Sequence, residues 1–247
     1  MPTLLEDWKA HCTSIIQSAE KILRADVTIT DKGFGDPKFL ALAMLIRTVS
    51  NLKGGMILLD ARRIVEARTL ARSCLENLYW TVGLYEEGDK FVRQMRDDEL
   101  KYRKAAGQAI FASGATLDDD ADERLRKFMR DVAKMDIGKD TLKPKTVSAI
   151  RKDFERTYLL YAQLSLDSAH PSVTALNRYV VSDPNGVGFD VEPLVRAKEI
   201  ADTFEYLSMA CIGVCVAVNE MIVAGQDLTE VADKHSTLSN ASAQPTA

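Results

Sequence analysis

The stretch GMILLDARRIVEARTLARSCLENLYWTVGLY, residues 55–85, decides the fold class. From about Met56 to Tyr85 it reads as one long helix that is apolar on most of its faces. A helix apolar nearly all round is a buried, central one. Yet Arg62, Arg63, Glu66, Arg68, Arg72 and Glu76 are threaded through it. Charges in a core helix need partners, because burying one alone costs several kcal/mol. Steps of four put Arg68, Arg72 and Glu76 along neighbouring parts of one face, where Arg72 and Glu76 can pair.

The flanking sequence supplies the neighbours such a helix needs. Upstream, Leu4, Leu5, Trp8, Cys12, Ile15, Ile16, Ala19, Ile22 and Leu23 recur at three- and four-residue steps, behind a capping box of Thr3 and Glu6. Asp36 and Pro37 then open a second helix, which Gly54 and Gly55 are expected to end. Downstream of Gly88, Val92, Met95, Tyr102, Ala106 and Ala109 form a stripe that also carries Glu99, and an acidic segment leads into a short amphipathic helix about Leu125, Phe128, Met129 and Val132. A further helix is expected from Lys145 to Ala169. The run 176–193 reads as an extended excursion about the turn residues Asp183, Pro184, Asn185 and Gly186. A last long apolar helix is expected from Pro193 to Val223.

These patterns predict an all-α fold: one helical bundle of six or seven helices, residues 1–225, with a single hairpin before the last helix. Residues 226–247 are polar and small and read as a disordered tail.

Bulk properties narrow the function classes. The chain has 247 residues and a formal net charge of -4, which argues against a surface coated for gripping nucleic acid; no DNA partner is expected. The most apolar run, residues 207–218, is flanked by Glu205 and Glu220 and falls short of the roughly 20 residues of a membrane span. No secretory leader is visible at the N-terminus. Cys12, Cys74, Cys211 and Cys215 form no CxxC pair and lie among apolar residues, as reduced buried thiols do. A cytoplasmic protein without membrane association is the expectation.

Signatures of nucleotide loops, hydrolase elbows and zinc helices are absent. Asp167-x-x-His170 is the nearest approach to the Glu-x-x-His of carboxylate-bridged metal bundles, so neither metal nor cofactor is expected. What remains is YAQLSLDSAHPSV, residues 161–173, where a helix ends at His170 before Pro171. A histidine at a helix terminus serves as a cap, or as an acid–base group near neutral pH.

RRIVEARTLARSCLENLYWTVGLYEE, with Arg72, Ser73 and Glu76, resembles the bacterial domain-of-unknown-function family numbered 5677. So does YAQLSLDSAHPSVTALNRYV, with Leu164, Ser165, His170, Pro171 and Ser172. The resemblance spans about Met56 to Tyr179 and implies an all-helical domain in which the arginine, glutamate and histidine meet. A looser similarity is to the HEPN group, many of whose members are metal-independent RNases of defence or toxin systems that act as dimers. This chain departs from the HEPN pattern, because no arginine precedes His170 at the required spacing. In a HEPN-like site His170 would be the general base, Arg72 the phosphate-stabilising cation and Glu76 its orienting partner. Arg68, Tyr161, Ser165 and Ser172 would hold substrate, with RNA as the partner and a homodimer forming the cleft. The alternative is a non-enzymatic binding or regulatory module, in which Arg72, Glu76 and His170 form a structural network or bind a small anion. The residues leave both open.

Overall fold

The computed structural model describes residues 3–138, 141–184 and 186–243. The turn residue Asn185 lies outside the described residues. Among the described residues, ten α-helices account for most of the chain: α1 (Leu4–Leu23), α2 (Pro37–Asp60), α3 (Ile64–Glu87), α4 (Asp89–Ala112), α5 (Asp119–Ala133), α6 (Pro144–Ser148), α7 (Thr157–Leu164), α8 (Val173–Leu176), α9 (Ala197–Ile222) and α10 (Thr229–Ala243). An antiparallel hairpin, β1 (Val180–Asp183) with β2 (Gly186–Phe189), precedes α9. The all-α class follows the periodicity; the number of helices exceeds the expected six or seven.

Helix α3 is central. It packs against α2, α4, α6, α7 and α9 and buries Ala67, Ala71, Cys74, Leu75, Leu78, Tyr79 and Val82. Helix α9 lies against α1, α2, α3 and α10, and its Phe204, Leu207, Ala210, Cys211 and Val214 are fully buried. By length and composition α2 and α9 match a membrane span; most of the apolar side chains of α9 are buried in the core. The α1 start has the expected capping box, with Glu6 N–H donating to Thr3 Oγ1 (3.3 Å) and Thr3 N–H to Glu6. Asp36 caps α2 by accepting from Lys38 N–H (2.8 Å), and its other carboxylate oxygen accepts from the Thr30 hydroxyl of the preceding loop (2.8 Å).

Three boundaries differ from the sequence pattern. Gly54 and Gly55 do not end α2, which continues to Asp60. They allow close approach instead: a Cβ on Gly55 would sit 2.6 Å from Leu207 Cδ1 of α9. The chain breaks at Ala61–Arg63, where Arg62 takes a left-handed φ of 56°. The expected helix 145–169 is broken between α6 and α7. The charged run Arg151–Arg156 offers Phe154 as its one apolar side chain, and packing rather than propensity sustains a helix. A tight 3₁₀ turn, Lys152–Phe154, occupies the gap.

The polar segment expected as a disordered tail holds α10. Its His235, Leu238, Ser239 and Ser242 recur at helical steps and face α1 and α9. Leu238 is buried, Ser239 donates to Glu205 (2.7 Å), His235 Nδ1 lies 3.0 Å from Ser208 Oγ, and Trp8 Nε1 donates to Ser242 (3.0 Å). Composition hid a stripe in which three of the four residues are polar.

Candidate functional site

The resemblance placed arginine, glutamate and histidine together. The structure joins two of the three. On α3, Arg72 donates through Nε to Ser165 Oγ (2.9 Å) and through Nη2 to Glu76 (3.2 Å) and to the Tyr161 hydroxyl. Tyr161 donates that hydroxyl proton to Glu76 Oε1 (2.8 Å), and the guanidinium lies over the Tyr161 ring, 4.7 Å from its centroid. Tyr161 itself is buried. Burial, together with the Glu76 carboxylate that accepts its proton, pushes the Tyr161 phenol up to about 12, so it stays protonated and bridges the pair.

One turn earlier on α3 a second cluster forms. Arg68 pairs with Asp167 and Glu199 and donates to the Thr203 hydroxyl (3.4 Å). Arg178 binds the same two carboxylates, Glu199 at 2.7 Å and Asp167 at 3.7 Å. Two cations thus face two carboxylates in a partly buried setting, where pairing must offset desolvation. Burial works against the Glu199 charge. The hydrogen bonds from Arg178 and from the Arg196 N–H, and the nearby Arg68, outweigh it and hold the Glu199 carboxyl below its usual range.

Local chemistry explains how α7 presents these partners. Ser165 and Ser168 donate back to the carbonyls of Tyr161 (2.8 Å) and Leu164 (2.7 Å), a pattern that bends helices. After Leu164 the helix widens into a π-turn, Ser165–Ala169. This turn aims Ser165 at Arg72 and Asp167 at Arg68. Pro171 then forces His170 into extended backbone, φ -124° and ψ 142°. Ser172 restarts the chain: its hydroxyl donates to Leu166 O (2.7 Å) and accepts from Ala175 N–H (3.0 Å), capping α8.

His170 stands apart. It is exposed, and among the described residues its imidazole makes no hydrogen bond, ion pair or ring contact with the Arg72 cluster. Of the residues singled out in the sequence, Arg72, Glu76, Tyr161 and Ser165 form one network, Arg68 belongs to the neighbouring cluster, and Ser172 is a helix cap. Asp167, whose spacing to His170 approaches that of a metal-ligand pair, is held by Arg68 and Arg178. Glu99, on the α4 stripe, pairs with Arg103 at the surface. Arg178, Glu199 and Thr203 carry weight that sequence reasoning missed.

A cleft of about 300 Å³ opens beside the start of α3, lined by Arg62, Arg63, Glu66, Arg178, Glu192 and Val195 among others. Arg62 donates across it to Val195 O (3.4 Å), and Arg63 lies 3.8 Å from Glu192.

The fold and this site define an all-α bundle whose central helix carries paired arginines and a glutamate, tied to a π-turn. The model of a family described as Family of unknown function (DUF5677) matches residues 38–187, more than half of the chain, and the chain belongs to that family. The matched span holds Arg68, Arg72, Glu76, Tyr161, Ser165, Asp167 and His170. Among curated proteins and among solved structures nothing matches.

Proposed function

We propose that the chain is a non-enzymatic binding module in which the Arg72–Glu76–Tyr161–Ser165 network is a frame for the segment that follows α7. One observation carries this: the Nε and Nη2 groups of Arg72 are taken up by Ser165, Glu76 and Tyr161, while His170 lies outside that network. A phosphate-stabilising cation needs donors aimed at the substrate. Freeing those of Arg72 would strand Glu76 and Tyr161 in a partly buried setting, at about 1–3 kcal/mol for each lost partner. The ligand class that suits the module is a small anion, for which the arginine-lined cleft beside α3 offers Arg62 and Arg63, each held there by one long contact (3.4 Å to Val195 O, 3.8 Å to Glu192) that an anion can replace.

The rival function, a HEPN-like metal-independent RNase acting as a homodimer, draws on a different observation. His170 is exposed in extended backbone, as an accessible general base would be.

The two are separated by an RNA-cleavage assay without metal on wild type and His170→Ala, run beside melting curves with and without inorganic phosphate. The binding module predicts no cleavage by either protein, and unfolding free energies within about 0.5 kcal/mol of one another. It also predicts a melting temperature that climbs with phosphate in wild type and not in Arg63→Gln. Cleavage that His170→Ala abolishes while melting like wild type would establish the RNase instead.

A further inference from the structure

The hairpin before α9 is a two-stranded sheet, and two strands alone are marginal in water. Its register sets Val180 opposite Phe189 and Ser182 opposite Val187. Asp190 N–H donates to Tyr179 O (2.9 Å), which makes Tyr179 and Asp190 a hydrogen-bonded pair. Such pairs alternate along an antiparallel ladder, so the next ones inward are Val181 with Gly188 and Asp183 with Gly186. The N–H and C=O groups of Val187 and Phe189 therefore point away from β1, along the free edge of β2. Both side chains are exposed, Val187 at 74% and Phe189 at 83%, and lie on one face of the sheet. Edge strands are ordinarily blunted by lysine, proline or a bulge; β2, Gly-Val-Gly-Phe, has no charge and no proline.

We propose that β2 pairs with β2 of a second copy of this chain, joining two hairpins into a four-stranded antiparallel sheet about a two-fold axis at Gly188. The occupant is argued from the edge itself. An antiparallel pairing of a strand with its own copy is isologous. The register with Val187 opposite the second copy's Phe189 uses both outward residues, and by symmetry makes four inter-chain hydrogen bonds. It sets apolar on aromatic twice, a favourable cross-strand pair. It places Asp190 opposite Gly186, so no like charges meet. Gly188 meets Gly188 at the axis as a non-hydrogen-bonded pair, where Cα atoms approach to about 4.5 Å. The proposal does not depend on the polar network on α3; it assigns a surface that neither function above uses.

The test is the solution mass of the full chain over a concentration series, with two variants. Wild type runs at twice the mass of one chain. Val187→Lys/Phe189→Lys runs at the mass of one chain with unchanged helical circular dichroism, since both side chains are exposed. Gly188→Cys is tolerated, because a Cβ there would meet only Val181 Cγ2 at 3.6 Å, and under mild oxidation it forms a covalent dimer that thiols reverse. The native cysteines are all buried and do not compete. A one-chain mass for wild type at every concentration overturns the proposal and leaves the edge to a foreign strand. A dimer that survives the double lysine variant, with no cross-link in the Gly188→Cys protein, overturns it by placing the interface elsewhere.

Discussion

His11 shows how much one side chain can reveal. It is buried at the meeting of α1 and α10, beside Trp8 and His235, with ring centroids 5.9 Å from each. Among the described residues neither ring nitrogen has a hydrogen-bond partner. Burial, then the neighbouring His235 and Lys234, lowers its pKa to about 4. Burial lowers that of His235 as well, against the pull of Glu205 on α9. A folded-state pKa below the unfolded value means that the unfolded chain binds fewer protons than the folded one at no pH, and more of them between the two values. The stability His11 contributes is therefore complete above pH 6.5 and is lost as pH falls from there toward 4. Between about pH 7.5 and about pH 4.5, denaturant unfolding of wild type should lose about 2–3 kcal/mol more than that of His11→Phe. Equal losses in the two proteins would show that this histidine does not drive the acid sensitivity. Residues of this kind are only partly legible in a sequence. The Arg72–Glu76 pair was, because it lies within one helix at a four-residue step. Arg178 and Glu199 were not: they meet across 21 positions of chain, their other partners Arg68 and Asp167 lie on different elements, and nothing local marks them.

At the scale of elements, periodicity gave the long helices and failed where a residue serves a distant neighbour. Gly55 looked like a break and is a contact point for Leu207. The stripe of α10 escaped notice because two of its four inward residues are serines. The π-turn after α7 depends on serine hydroxyls that bond backward, an interaction that hydrophobic periodicity does not record. The α2–α3 corner carries a strained residue in exchange for a sharp change of direction: Arg62 sits at φ 56°. A left-handed non-glycine residue costs about 1–2 kcal/mol; after the added freedom of glycine in the unfolded chain and the loss of the bond to Val195 O, Arg62→Gly should hold the unfolding free energy or raise it by at most about 0.5 kcal/mol. A lower stability in calorimetry would show that the guanidinium contact outweighs the backbone strain.

Across the whole molecule, α3 is the shared member of both polar clusters and of the core. Its buried face meets α2 and α9, while its charged face clamps the π-turn through Arg72, and the π-turn together with the start of α9 through Arg68. A central helix with threaded charges was visible in residues 55–85; the partners were visible in kind, as buried charge demands them, and not in identity. If the network is a frame, its removal must cost stability whatever else the protein does. The most direct test is a double-mutant cycle of Arg72→Gln and Tyr161→Phe, read as unfolding free energies. A structural frame predicts that Arg72→Gln loses about 1–3 kcal/mol and that the two changes are coupled by at least about 0.5 kcal/mol. A residue kept for chemistry is often neutral or stabilising when removed. An Arg72→Gln protein as stable as wild type, with no coupling to Tyr161, would contradict the frame and return Arg72 to the role of a catalytic cation.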